Sequence, residues 1–311
     1  MTNAFGLEVW RGGVNTWQCD WMGHLNVRFY VAAAEEALAA FAGELGMPDA
    51  FAADGGATLL VRDHHIRFLR EARASDLIYM TVGVLEMGET DARLQFILWH
   101  ERGEPCASLV VTVAHVTAQA ERPFPWTAAA RARGEALKVT APDYVGARSV
   151  SAGPVSGQAS LARADELGLH YLGSGVIMPA DADAFGRMNS QVFIGRVSDG
   201  VSRVIGDFRR HTAEHAAVKP TRVGGAVLEN RLVYLRWPRI GDRFVIRSGV
   251  SEVNERTAAL THWLLDPRSG QPWGVASARA IVLDLDTRKV VPVTPAAQEA
   301  LRPGLIPDLT I

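Results

Sequence analysis

The stretch CDWMGHLNVRFY, residues 19–30, sets Asp20, Gly23, His24 and Asn26 directly ahead of a long apolar run. That run, VRFYVAAAEEALAAFAGELG, is rich in Ala and Leu, which lose little freedom on entering a helix. The spacing predicts a helix from Asn26 to about Leu45, ended by Gly46 and Pro48. An acid, a glycine, an imidazole and an amide crowded at the mouth of a helix built for burial are more than packing requires.

Moving outward, the chain repeats itself. QCDWMGHLNVRFY (18–30) lies over DADAFGRMNSQVF (181–193), so that Asp20 meets Asp183, Gly23 meets Gly186, Asn26 meets Asn189 and His24 meets Arg187. The flanks agree. HHIRFLREARASDLIYMTV (64–82) lies over NRLVYLRWPRIGDRFVIRS (230–248), and RLQFILWHERGEPCASLVVTV (93–113) over ALTHWLLDPRSGQPWGVASAR (259–279). Alternating apolar residues broken by Gly/Pro turns read as antiparallel strands. PWTAAARA (125–132) and PVTPAAQE (292–299) each put a Thr before an Ala-rich stretch, the signature of a capped short helix. Each half therefore reads as a loop carrying Asp, a long helix, then a strand meander. The second helix is predicted from Asn189 to about Phe208. The division is residues 1–137, a Gly/Ser/Ala/Pro-rich connector at 138–168, and residues 169–311.

Composition narrows the setting. With 48% hydrophobic and 21% charged residues the chain is globular rather than disordered. A net charge of -2 gives no reason to expect nucleic acid as a partner. Two cysteines, Cys19 and Cys106, are too few for a disulfide framework or a zinc cluster and point to reduced thiols in the cytoplasm. No leader and no membrane-spanning run is evident, so no membrane partner is expected.

The pattern Asp-x-x-Gly-His-x-Asn-x-x-x-Tyr opening a long helix, ahead of a strand meander, resembles the hot-dog-fold acyl thioesterases. The similar groups are those like 4-hydroxybenzoyl-CoA thioesterase and acyl-ACP thioesterase. Two tandem copies look like a double hot-dog chain. The resemblance implies an α+β fold in which each long helix is wrapped by an antiparallel sheet, the halves packing as a pseudo-dimer with sites between them. It also implies hydrolysis of an acyl thioester, of CoA in the first instance or of acyl carrier protein, without a cofactor. Whether the chain forms a homo-oligomer is left open. Two departures stand out: an acid two residues before the Asp is present as Asp181 but replaced by Gln18 in the first half, and Arg187 replaces the His. Two degraded sites, one working site or two specialised ones all remain open. So do two rivals: an enoyl-thioester hydratase or dehydratase on the same fold, and a non-catalytic acyl-CoA-binding protein.

Thioester hydrolysis needs an activated water or an attacking carboxylate, a holder for the oxyanion and a dry slot for the acyl chain. Asp20 and Asp183 are the candidates for base or nucleophile, against the plainer role of helix cap. Gly23 and Gly186 let backbone approach a ligand, or merely permit a turn. The orphan N–H groups at a helix start supply an oxyanion hole. His24 could bond the carbonyl, position water or simply hold its loop. Asn26 and Asn189 are read first as caps, then as residues that aim the Asp. Arg187 could hold a carboxylate or a CoA phosphate. His64, beside His65 on a strand, and Glu35, beside Glu36 on the helix, are candidate substrate contacts. Helical periodicity makes a solvated edge the plainer reading of both glutamates. No HxH or HExxH spacing occurs, and no metal is expected.

Overall fold

A computed structural model of the chain describes residues 2–311. It divides into two compact units. The first takes Met178–Ile194 together with the chain up to Ala147; the second comprises Arg148–Ile177 and Gly195–Ile311. No helix is long and apolar enough to cross a membrane among the described residues.

In the first unit the elements run β1 (Thr2–Asn3), β2 (Gly6–Gly13), α1 (Val27–Glu44), β3 (Ala57–Phe68), β4 (Leu77–Met87), β5 (Asp91–His100), β6 (Pro105–Thr117) and α2 (Ala128–Ala136). The strand order is β1-β2-β4-β5-β6-β3. Neighbours are antiparallel, in registers such as Phe96↔Leu109 and Val82↔Phe96. Antiparallel partners follow from short Gly-containing turns such as Glu101–Gly103, too short for a parallel crossover. Helix α1 packs on β2 and β4. It buries Tyr30, Ala33, Ala37 and Phe41, one turn after another, as its 3.6-residue period dictates. Asn26 caps its start, accepting the Arg28 N–H. Its end is a Schellman closure: Gly46, at φ +87°, donates to Gly43, and Met47 donates to Ala42.

The second unit holds α3 (Leu161–Glu166), β7 (His170–Val176), α5 (Ser202–Glu214), β8 (Val223–Tyr234), β9 (Arg243–Val253), β10 (Ala258–Leu265), β11 (Pro272–Asp284) and α6 (Pro295–Leu301). Helix α4 (Ser190–Gly200) starts in the first unit and ends in the second. Strand order is β8-β11-β10-β9-β7, and α5 packs on β7, β8 and β9. Trp263, Leu265 and Val275 form a core with Ala164 of α3 and Leu309 near the C-terminus.

Two expectations need correction. The helix expected from Asn189 to Phe208 is two helices, α4 and α5, parted at Val201. Its central residues, Ser198-Asp-Gly, are weak helix formers, and Gly200 lies so close to β7 that a Cβ there would meet the Leu172 carbonyl oxygen at 2.7 Å. The stretch read as a connector is also not plain linker. It contains α3, and the buried carboxylate of Glu229 holds the Arg148 and Ser149 N–H groups and the Ser149 hydroxyl.

Candidate active site

Both helix mouths are built by the same turn. In the first repeat a 3-10 turn, Thr16–Gln18, ends with the Gln18 side chain accepting the Asn15 N–H at 2.8 Å. In the second, Pro179–Asp181 ends with the Asp181 carboxylate accepting the Met178 N–H at 3.3 Å. Gln18 and Asp181 thus do the same local work, which explains how an amide substitutes for an acid there. A tight reversal follows. Asp20 N–H donates to the His24 carbonyl at 2.8 Å, and Asp183 N–H to the Arg187 carbonyl at 2.7 Å. Gly23 and Gly186 sit at φ +79° and +76°, the left-handed region that a side chain resists.

The two aspartates form the turn instead of capping the helix, the asparagine holding the cap of α1. Asp20 Oδ1 accepts the Met22 N–H at 2.8 Å and the His24 N–H at 3.1 Å. Asp183 Oδ1 accepts those of Phe185 and Arg187, both at 2.9 Å. The glycines serve the turn. Their N–H groups donate to the Asp20 and Asp183 carbonyls at 3.0 Å and so are not free to hold an oxyanion. What Gly23 does offer is room: a Cβ there would meet nothing within 4 Å.

The mouths differ at the second carboxylate oxygen. Arg187 is 2% exposed, and its Nε and Nη2 reach Asp183 Oδ2 at 2.9 and 2.8 Å. Its guanidinium lies 4.7 Å over the Phe185 ring, and its Nη1 is buried without a partner. Arg187 therefore holds a carboxylate, the chain's own. In the first repeat His24, also buried, instead puts Nε2 3.1 Å from Glu71 Oε2, which Arg73 shares at 3.1 Å. Among the described residues, Asp20 Oδ2 takes no hydrogen bond.

They differ again at the helix tip. At the start of α4, Glu35 Oε1 accepts the Ser190 N–H, the Ser190 hydroxyl at 2.7 Å and the Gln191 N–H at 3.3 Å. Loss of water pushes the half-buried Glu35 carboxyl up to about 7, against the downward pull of those hydrogen bonds. The solvated-edge reading of Glu35 is thus wrong. The wheel placed it at the edge of the α1 apolar face, but beyond that edge lies the α4 N-terminus. Glu36 is exposed, as expected, and accepts the Trp10 indole N–H at 2.8 Å. At the start of α1 the Val27 N–H has no acceptor among the described residues, Arg28 N–H being taken by Asn26. The Arg28 side chain meets Gln191 Oε1 at 3.0 Å.

Of the remaining candidates, His64 is fully buried on β3, and burial pushes its pKa down to about 3, so the ring is neutral. His65 is buried as well. Asn189 N–H donates to the Asp181 carbonyl at 2.8 Å, matching Asn26 N–H to the Gln18 carbonyl at 2.9 Å. Glu71 carries no signal in the sequence. It lies some fifty residues from His24 and becomes its neighbour only through the bridge between His24 and Arg73.

The profile of the thioesterase-like superfamily matches residues 14–134 and again residues 177–301. No curated protein sequence matches the chain. Among solved structures it is similar to a putative oleoyl thioesterase from Lactobacillus plantarum, with 12% identity, a TM-score of 0.67, and 90% of this chain and 98% of that chain covered. It is similar to an acyl-ACP thioesterase from Bacteroides thetaiotaomicron, with 11% identity, a TM-score of 0.59, and 87% and 96% covered. It is also similar to the 12:0-ACP thioesterase from Umbellularia californica, with 13% identity, a TM-score of 0.61, and 87% and 92% covered. At such identities the likeness speaks to fold: two tandem hot-dog repeats in an α+β chain.

Proposed function

The chain belongs to the thioesterase-like superfamily, and we propose that this thioester hydrolase works on an acyl-CoA at the mouth of α1, with Asp20 as base or nucleophile. One observation carries the reading. Of two equivalent mouths, the first keeps a carboxylate oxygen and a helix-opening N–H without protein partners among the described residues, while the second has both filled. The free Asp20 Oδ2 takes a proton from water, or adds to the carbonyl itself. The Val27 N–H, at the positive end of α1, holds the developing oxyanion. On the base route, collapse of the tetrahedral intermediate expels the thiolate, which takes the proton drawn from water. On the nucleophile route, collapse expels the thiolate and leaves an Asp20–acyl anhydride. Water hydrolyses that anhydride to the acid and the free Asp20 carboxylate, the released proton going to the thiolate. On both, acyl thioester and water give acid and thiol. The room beside Gly23 admits the reacting group.

Asp20→Asn keeps the oxygen that accepts the Met22 and His24 N–H groups, so the turn survives while the charge is lost. Thiol release from a panel of acyl-CoA and acyl carrier protein thioesters is expected to fall by about 10²–10⁴-fold. Full turnover by this variant would sink the reading. Removing both charges of the second mouth together, Asp183→Asn with Arg187→Gln, avoids a buried unpaired guanidinium and is expected to leave turnover near wild type. Thiol release, compared with hydration of crotonyl-CoA, separates hydrolase from hydratase.

A second reading of the same reaction has one observation in its favour: Glu35, titrating near 7 at the α4 tip, is tuned as a general base would be. Glu35→Gln decides between them. If Glu35 is the base, kcat/KM in the wild type rises with pH through about 7 and collapses in the variant. If Asp20 is the base, Glu35→Gln leaves hydrolysis standing.

A further inference from the structure

The last turn of α5 and its C-cap carry His211-Thr-Ala-Glu-His215, a spacing that the HxH and HExxH patterns pass over. It puts two imidazoles one helical turn apart with a carboxylate between them, on one face. The donor atoms of His211, Glu214 and His215 all lie within 4.8 Å of one another. The rings are nearly parallel, with centroids 6.1 Å apart and planes at 23°. His211 Nδ1 is buried without a hydrogen-bond partner and faces Glu214 Oε2 at 3.6 Å.

From this cluster we propose that His211, Glu214 and His215 form a binding site for a divalent transition metal of the zinc type. Two imidazoles and a carboxylate are a borderline ligand set suited to zinc, cobalt or nickel rather than to calcium or magnesium. Tetrahedral zinc with bonds of about 2.0–2.1 Å sets its ligand atoms ~3.3 Å apart, within side-chain rotation of the spacing here. With three protein ligands, water completes the shell. The place favours a cation for a second reason: it is the C-terminal, negative end of a helix of 13 residues. The cluster already collects one cation. Arg210 Nη2 donates to His211 Nε2 at 2.9 Å, and Nη1 reaches Glu214 at 3.4 Å. A metal displaces that guanidinium, which keeps its 2.9 Å bond to Asp207. The His215 carbonyl accepts the hydroxyl of Thr294, the cap of α6. That bond ties the end of α5, where the cluster sits, to the start of α6.

The test uses the full-length chain stripped with a chelator and titrated with zinc chloride by calorimetry, with cobalt(II) absorption as a report of coordination. One zinc per chain, a tetrahedral cobalt spectrum and a rise in Tm with added zinc are expected. His215 and Glu214 are exposed, so His215→Ala and Glu214→Gln should fold normally; each is expected to weaken zinc binding by about tenfold or more and to abolish the Tm rise. Arg210→Gln, which removes the competing cation, is expected to tighten it. Cys19→Ser, which removes the half-buried thiol, leaves it unchanged. The absence of saturable zinc binding, or zinc binding that survives both His215→Ala and Glu214→Gln, overturns the proposal.

Discussion

A single carboxylate changes its chemistry with what stands opposite it. Asp20 and Asp183 occupy equivalent turns and hold equivalent N–H groups, yet one residue four positions on, His24 or Arg187, decides whether the second oxygen is free. Breaking the buried Arg187–Asp183 pair by Asp183→Asn alone is expected to cost about 3–5 kcal/mol, because it strands a guanidinium that is 2% exposed. Glu35 makes a prediction of the opposite kind. Its folded pKa, about 7, stands above the ordinary value of 4.5. The native state therefore holds a proton that the unfolded state has released. Glu35 destabilises the fold progressively as pH rises from about 4.5 to about 7, by up to about 3 kcal/mol. The Gln variant keeps an acceptor for Ser190. The difference in Tm between Glu35→Gln and wild type is expected to widen in the variant's favour from pH 5 to pH 8. A constant difference would refute this.

Among the elements, the helices carry the clearest contrasts. The Asn26 side chain caps α1, and Asn26→Ala is expected to cost about 1 kcal/mol, read as a fall in Tm. Two glycines in the second pair of helices should behave oppositely. Gly206 lies inside α5, and a methyl group placed there would meet nothing within 4 Å, so Gly206→Ala should stabilise by about 0.5–1 kcal/mol. At Gly200 the same methyl group would meet the Leu172 carbonyl at 2.7 Å, so Gly200→Ala should destabilise by about 1–3 kcal/mol. Chemical denaturation of both variants checks the pair. The meander strands that follow each long helix were legible in the alternating runs at 64–82, 93–113, 230–248 and 259–279, because a sheet with one or both faces buried writes its period into the residues. Strands β1, β2 and β7 were not placed. The break between α4 and α5 was not read, although Ser198-Asp-Gly are weak helix formers, because helix-prone residues stand on both sides. The closeness of Gly200 to the Leu172 carbonyl appears only in the fold.

At the scale of the molecule, the buried histidines set the acid limit. His64 and His262 are neutral inside the fold, burial lowering their pKa values to about 3 and about 4 from 6.5. Unfolded, both take a proton below about 6.5, so their contribution is fully present above that pH and is lost as pH falls toward 4 and then 3. Urea unfolding at pH 7, 5 and 4 should show stability falling steeply below pH 6. His262→Asn, which keeps a polar partner for the Ser248 hydroxyl now 2.8 Å from His262 Nδ1, should flatten part of that slope.

The repeat, the α+β meander, the start and end of α1 and the matched polar turns were all readable from residue order, since each depends on neighbours a few positions away. The state of each mouth was not. Asp20 looked freer than it is, and Glu35 looked idle. Which carboxylate keeps an open oxygen, and which helix tip is already filled, depends on partners such as Ser190, 155 positions from Glu35, brought close only when the chain folds. Hydrogen bonds and loss of water act through space, and no local spacing records them.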